Sequence, residues 1–317
     1  MRRQRIICGL LILPLCGQVR SACSQKTSGG ADGATPYHLN VAVDEVSLTF
    51  HAADVHGAPI DNLRLDELKL LDNGKPPRKI VAFQSMTDLP IRAGILIDKS
   101  ESMEEHLSSD KAISIKYARL LLRQQTDQAF VMDFASHSGI AEPWTSDAAA
   151  LVAAIGEFMP VGKGRGTAIF DAINQACFYE FGKIQPLGSG NFILLFTDGE
   201  DNASKTSLRQ AVDMCQRTNT SIYVFRAASE YAFSPGPKTL AELASETGGS
   251  VFYDDASEVV INNNLRTIEA KLRNQYRLIY DPAESKRNGS FHQIELRAAS
   301  ERIGDIVVRS GYYATEH

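Results

Sequence analysis

"AGILIDKSESM", residues 93–103, is a continuous apolar run that ends in an aspartate followed by two serines at alternate positions. A run this apolar suits a strand covered on both faces, as in a parallel sheet. Asp98, Ser100 and Ser102 then place three oxygen side chains within a few residues of one another. Such a cluster is either a polar turn or a holder of something, and the rest of the chain bears on which.

Similar runs recur at residues 129–134, 192–196 and 221–225. Helical patterns lie between and after them. Ile113, Tyr117, Leu120 and Leu121 keep a 3.6-residue period, as do Ile169, Ala172, Ile173 and Ala176, then Leu208, Ala211, Val212 and Cys215, and finally Ile261, Leu265, Ile268 and Leu272. Strands alternating with helices predict an α/β fold, an open, mostly parallel, doubly wound sheet over residues 91–275. The flanks have another texture. Residues 37–90 are rich in β-branched and aromatic residues, and Asp72-Asn73-Gly74 reads as the turn of a hairpin. Residues 276–317 return to strand and turn, with Asn288-Gly289 and Ile303-Gly304-Asp305 as turns. The two flanks are expected to pair as a small β module around the inserted domain.

The 317 residues suggest about two domains. An apolar content of 44% with 22% charged residues describes a chain able to bury a sizeable core. The net charge of −5 and the lack of a basic stripe argue against nucleic acid as a partner. At the start, Met1-Arg2-Arg3-Gln4-Arg5 and the apolar residues 6–15 have the layout of a signal peptide over residues 1–24, too short to span a bilayer. Residues 25–36, "QKTSGGADGATP", read as a flexible spacer. The expectation is export to the periplasm, cell surface or medium, with no membrane span in the mature chain. Lipidation at Cys23 is the alternative, and Arg20 at the third position before it argues against it. Cys177 and Cys215 fall at apolar positions of predicted helices. They could pair in an oxidising compartment, and independent core thiols are the reading favoured here.

In open α/β sheets ligands collect at the carboxyl ends of the strands. Three loops carry oxygen donors there: Asp98-Lys99-Ser100-Glu101-Ser102, "GKGRGTAIFDA" at 162–172 with Thr167, and "LLFTDGEDN" at 194–202 with Asp198. Two carboxylates and three hydroxyls suit a hard divalent cation, Mg²⁺ before Mn²⁺ or Ca²⁺. The loops hold no thiolate or imidazole to favour zinc or copper. Asp171 reads as a cap or brace of its helix, Glu200 and Asp201 as solvated or outer-shell, and Trp144 as packed at a sheet edge. The structural alternative is that Asp98 and Ser100 cap the following helix and Asp198 hydrogen-bonds loop amides.

Asp98, Ser100, Ser102, Thr167 and Asp198, in this order, resemble the metal-ion-dependent adhesion site of a von Willebrand factor A domain. That site combines D-x-S-x-S with a threonine and an aspartate from two further loops. The flanking "LDELKLLDNGKPPRKIVAF" (65–83) and "RSGYYA" (309–314) are similar to A-domain-related exported proteins of acidobacteria. The resemblance implies a non-enzymatic, metal-dependent binding module whose protein partner completes the metal shell with an acidic side chain. Glu101 stands where many relatives carry glycine. With Lys163, Arg165 and Asp201 it is a candidate for the partner-binding rim. The rival class is a Mg²⁺-dependent phosphohydrolase. Such enzymes commonly need a second aspartate two residues after the nucleophile, and Ser100 cannot act as acid or base near neutral pH. No phosphate-cradling loop or nucleophile elbow appears, so no catalytic residue is assigned.

Overall fold

The computed structural model describes residues 45–123, 125–161, 166–183, 189–226, 235–253, 257–284 and 288–314. The leader-like residues 1–24, the spacer 25–36, and Lys163 and Arg165 lie outside the described residues. Three strands come first: β1 (Val46–Asp54), β2 (Leu68–Asp72) and β3 (Lys79–Met86). An alternating region follows: β4 (Ile91–Asp98), α1 (Leu107–Leu121), β5 (Gln128–Phe134), β6 (Ser138–Thr145), α2 (Ala148–Gly156) and α3 (Ile169–Gln175). It continues through β7 (Gly190–Thr197), α4 (Leu208–Arg217), β8 (Thr220–Arg226), α5 (Gly236–Thr247), β9 (Val251–Tyr253) and α6 (Glu258–Arg273). The last strands are β10 (Gln275–Asp281), β11 (Phe291–Ala298), β12 (Ile303–Val308) and β13 (Gly311–Tyr313).

The central sheet has the order β6-β5-β4-β7-β8-β9. Every pairing in it is parallel except β5 with the edge strand β6. The period of two sends alternate side chains to opposite faces. Ile91, Ala93, Ile95 and Ile97 of β4, with Phe192, Leu194 and Phe196 of β7, pack against α1, α2 and α6. Leu96, Ile193 and Leu195 face α3, α4 and α5 on the other side. Gly94 is small for a reason, since a Cβ there would lie 2.6 Å from the Phe130 ring. Phe130 in turn meets Trp144 and Phe181 edge-on at 4.8 and 5.6 Å. Trp144 therefore packs at the sheet edge.

The fold class is as expected, with antiparallel sheets from N- and C-terminal strands beside the parallel one. One has the order β12-β1-β10-β3 and the other β13-β11-β2. The buried Asp72 joins the two ends of the chain. Its Oδ2 accepts the hydroxyls of Tyr280 and Tyr312, each at 2.8 Å, and its Oδ1 lies 2.9 Å from His292 Nδ1. Among the described residues no helix is long and apolar enough to cross a membrane.

Three local expectations are corrected. The turn at Asn73-Gly74 forms, with φ of 49° and 75°, and Asp72 and Lys75 exchange backbone hydrogen bonds of 2.8 and 3.0 Å. It does not continue as a hairpin, because β2 pairs with β11 and β3 with β10. Pro76 and Pro77 have no N–H to extend the ladder. Gly304 is not in a turn; it lies within β12 beside the register shift at Ala53/Asp54, where a Cβ would meet the Asp54 carbonyl at 2.5 Å. Third, Cys177 and Cys215 are not independent thiols but a disulfide, with Cα atoms 5.2 Å apart. Each cysteine sits on the sheet-facing side of its own helical segment, and the two segments lie side by side on one face.

The bridge closes a loop with a sequence separation of 38. Replacing both cysteines by alanine is expected to lower the unfolding free energy by about 2–4 kcal/mol. Denaturant titration measures this, and a wild-type midpoint identical with and without reductant would show that the bridge contributes nothing.

Candidate metal centre

Each of the three loops leaves the carboxyl edge of the sheet. β4 and β7 are neighbours, but their chains depart to opposite faces, β4 into α1 and β7 into α4. The gap between them is the topological switch point, where two departing loops leave a crevice. Asp98 closes β4, Asp198 directly follows β7, and Thr167 stands two residues before α3. Asp98, Ser100, Thr167 and Asp198 are 0, 1, 3 and 4% exposed, whereas Ser102 is exposed.

The first loop folds on Asp98. Its Oδ1 accepts the Ser100 amide at 2.9 Å, and its Oδ2 accepts the Thr197 hydroxyl at 2.7 Å. Ser100 begins a 3₁₀ turn, Glu101–Met103, without a side-chain capping bond. Its Oγ lies instead 3.3 Å from Ser102 Oγ, so the capping alternative fails for Ser100 while Asp98 does brace a loop amide. Met103, fully buried, pins the turn to the core. Thr197 was not legible as a site residue; its only signal is a hydroxyl at the end of an otherwise apolar strand.

The second and third loops grip each other through the backbone of Thr167. Its N–H donates to Asn202 Oδ1 at 2.8 Å, and its carbonyl accepts the amides of Asn202 and Ala203, both at 3.0 Å. Gly166 allows this approach, since a Cβ would lie 2.4 Å from Asn202 Oδ1. Asp198 Oδ1 accepts the Glu200 amide at 3.0 Å. Gly199 turns with φ of 90° against Leu240. Of the rim candidates, Glu101 is exposed. Asp201 is half-buried, and its carboxylate is spent on the Phe170 and Ser204 amides and the Ser204 hydroxyl.

Charge is the telling feature. Burial pushes the Asp98 carboxyl up to about 7, against hydrogen bonds from Ser100 and Thr197, and the nearby Asp198 pushes the same way. Lys99, the adjacent cation, turns away to pair with Asp133 and lies 5.5 Å from the Phe158 ring centre. Among the described residues neither Asp98 nor Asp198 has an ion-pair partner. Burial and the neighbouring Asp198 disfavour the charge on Asp98 unless a cation joins it. The donor set therefore fits a hard divalent ion. Among the described residues no three His, Cys, Asp or Glu side chains gather as a metal cluster, so a site here has to rely on hydroxyls.

Asp98→Asn removes the buried charge and keeps an acceptor for the Ser100 amide. In chelator it is expected to be more stable than wild type by on the order of 2–4 kcal/mol above pH 7. The folded-state pKa lies above the ordinary value of 3.8, so wild-type stability falls as pH rises between the two and levels off above 7. The advantage of the variant thus shrinks as pH drops from 7 to 4. Equal thermal midpoints at pH 8 would mean that the Asp98 charge is already compensated.

The sequence model of the von Willebrand factor type A domain matches residues 94–268. No curated protein matches the chain. Among solved structures it is similar to an aerotolerance-related membrane protein from Bacteroides fragilis, at 21% identity and TM-score 0.46, over 56% of this chain and 98% of that one. It is similar in the same way to BatB from Bacteroides thetaiotaomicron, at 20% identity and TM-score 0.46, over 56% and 97% of the two chains. A third is proximal thread matrix protein 1 of the mussel byssus, with a zinc-occupied MIDAS motif, at 15% identity and TM-score 0.46, over 64% and 50%. The family match spans more than half of the 317 residues and includes the positions of Asp98, Ser100, Ser102, Thr167 and Asp198, so this chain belongs to the von Willebrand factor type A domain family.

Proposed function

We propose that the protein is an exported, non-enzymatic binding module in which Asp98, Ser100, Ser102, Thr167 and Asp198 hold a divalent cation, Mg²⁺ or else Mn²⁺ or Ca²⁺. The observation that carries this reading is the pair of buried carboxylates, Asp98 and Asp198, at the switch point without an ion-pair partner among the described residues. The hydroxyls of Ser100, Ser102 and Thr167 supply donors without cancelling charge. A bound cation would keep an electrophilic position that an acidic side chain of a partner protein can fill. Ser102, the exposed member of the set, marks the side from which a partner would approach. Glu101 beside it is the element that discriminates among acidic partners, by like-charge repulsion.

Export is supported by the leader-like N-terminal pattern and by the Cys177–Cys215 disulfide, since such bonds persist in oxidising compartments. The domain limits that accompany this reading are residues 91–275 for the binding domain, flanked by β segments at 37–90 and 276–317. A non-enzymatic role is supported by the lack of a second carboxylate at position 100, where a phosphohydrolase needs an acid or base.

Calorimetric titration of Mg²⁺ and Mn²⁺ into chelator-stripped protein tests the site. Saturable binding is expected in wild type and its loss in Asp98→Ala, with Thr167→Ala weakened by about tenfold or more. Equal heats from wild type and Asp98→Ala would remove the metal-dependent reading.

A further inference from the structure

The start of α3 carries no capping side chain of its own, because the residue at its cap position is Ala168. A carboxylate from the third loop takes that part. Asp201 Oδ2 accepts the Phe170 amide at 3.1 Å and the Ser204 hydroxyl at 2.6 Å, while Ser204 Oγ accepts the Asp171 amide at 3.1 Å. The favour is returned from the helix. Asp171, in the first turn of α3, accepts the Thr206 amide at 2.8 Å through Oδ1, and the Lys205 amide lies 3.2 and 3.1 Å from its two oxygens. Burial raises the Asp171 carboxyl and these hydrogen bonds, with one from the Thr206 hydroxyl, outweigh it, so it stays ionised below the ordinary range.

These bonds cross between the segment that starts at Thr167 and the one that starts at Asp198, some 30 residues apart in sequence. Two carboxylates thus brace one junction from opposite sides, on top of the Asn202 grip on Thr167. The disulfide ties the same two segments again farther along, through Cys177 beyond α3 and Cys215 in α4.

We infer that Asp171 and Asp201 are positioning residues for the cation site: their crossed brace presents Thr167 and Asp198 as one preformed half of the donor set. The inference rests on the reading of the site given above. Neither residue is a ligand in it. What they contribute is preorganisation, which spares the two loops an ordering cost when a cation arrives. Outer hydrogen bonds that orient ligands are typically worth 10- to 100-fold in metal affinity.

The experiment uses the full chain and Mn²⁺ alone as the probe, with Asp171→Ala, Asp171→Asn and Thr167→Ala. Asp171→Ala is expected to weaken Mn²⁺ binding about tenfold or more. Asp171→Asn, whose Oδ1 still accepts both loop amides, should stay within about twofold of wild type if geometry rather than charge is at stake. In the Thr167→Ala background, Asp171→Ala should cost less than it does in wild type, because one of the two ligands that the brace presents is gone. Hydrogen exchange of the metal-free protein gives a second readout, with faster exchange at the Lys205 and Thr206 amides in Asp171→Ala only. Wild-type affinity in Asp171→Ala would overturn the brace while leaving the site intact. Equal losses in Asp171→Asn and Asp171→Ala would assign the effect to charge and overturn it too. Absence of Mn²⁺ binding in wild type would bring down the site itself, and the brace with it.

Discussion

Strand β4 is covered on both faces, and the rest of the structure follows from that constraint. Between Ala93 and Ile97 this strand carries no polar side chain, so its chemistry moves to its two ends. At the amino end the fully buried Asp127, just before β5, accepts the Ile91 amide at 2.8 Å and pairs with Arg273 at 2.7 Å. It also accepts the Arg123 amide at 3.1 Å. One carboxylate therefore fastens the start of β4, the end of α1 and the end of α6. At the carboxyl end, among the described residues, Asp98 meets hydroxyl and amide donors. The two ends differ in one respect, which is a cation. Asp127 has Arg273, and Asp98 has no ion-pair partner among the described residues.

That asymmetry separates a structural carboxylate from a candidate binding one. A buried acid with its counter-ion inside the fold is an anchor, and removing either member leaves a costly charge. A buried acid without one keeps a raised pKa and an unmet demand for positive charge. Lys99 is adjacent in sequence yet is held elsewhere by Asp133 and the Phe158 ring. The hydrogen bonds from Ser100 and Thr197 brace Asp98 without neutralising it.

The flanking strands extend the same economy to the chain ends. β10 follows α6 almost without a linker and pairs with both β1 and β3. His51 Nδ1 lies 2.8 Å from the carbonyl of Asn274 at that junction. The end of α6 is thus held by Asp127 on one side and by the antiparallel sheet on the other. In the second small sheet Asp72 gathers Tyr280, Tyr312 and His292 from three later segments. The tail is not an appendage, since its tyrosines satisfy an aspartate from the N-terminal flank.

By itself the sequence determined the central strands β4, β5, β7 and β8, the helices α1, α3, α4 and α6, and the donors at strand ends, but not α2, α5 or β9. Each of those depends on local properties: an unbroken apolar run at 93–97, a 3.6-residue period, an aspartate where the run stops. Asn73-Gly74 was readable as a turn, though not which strands its two sides would join. Only the tertiary structure decided the relations between distant residues. The Cys177–Cys215 bridge requires knowing that two helices are neighbours. The separation of β2 from β3 depends on competing partners, β11 and β10, that lie far along the chain. Asp201 looked like a solvated loop acid because its amide, that of Phe170, lies 31 positions back in the chain. Thr197 looked like the end of a strand because the carboxylate it serves is 99 positions away. Periodicity is written along the chain, whereas a hydrogen bond across a crevice exists only once folding has brought its two partners together.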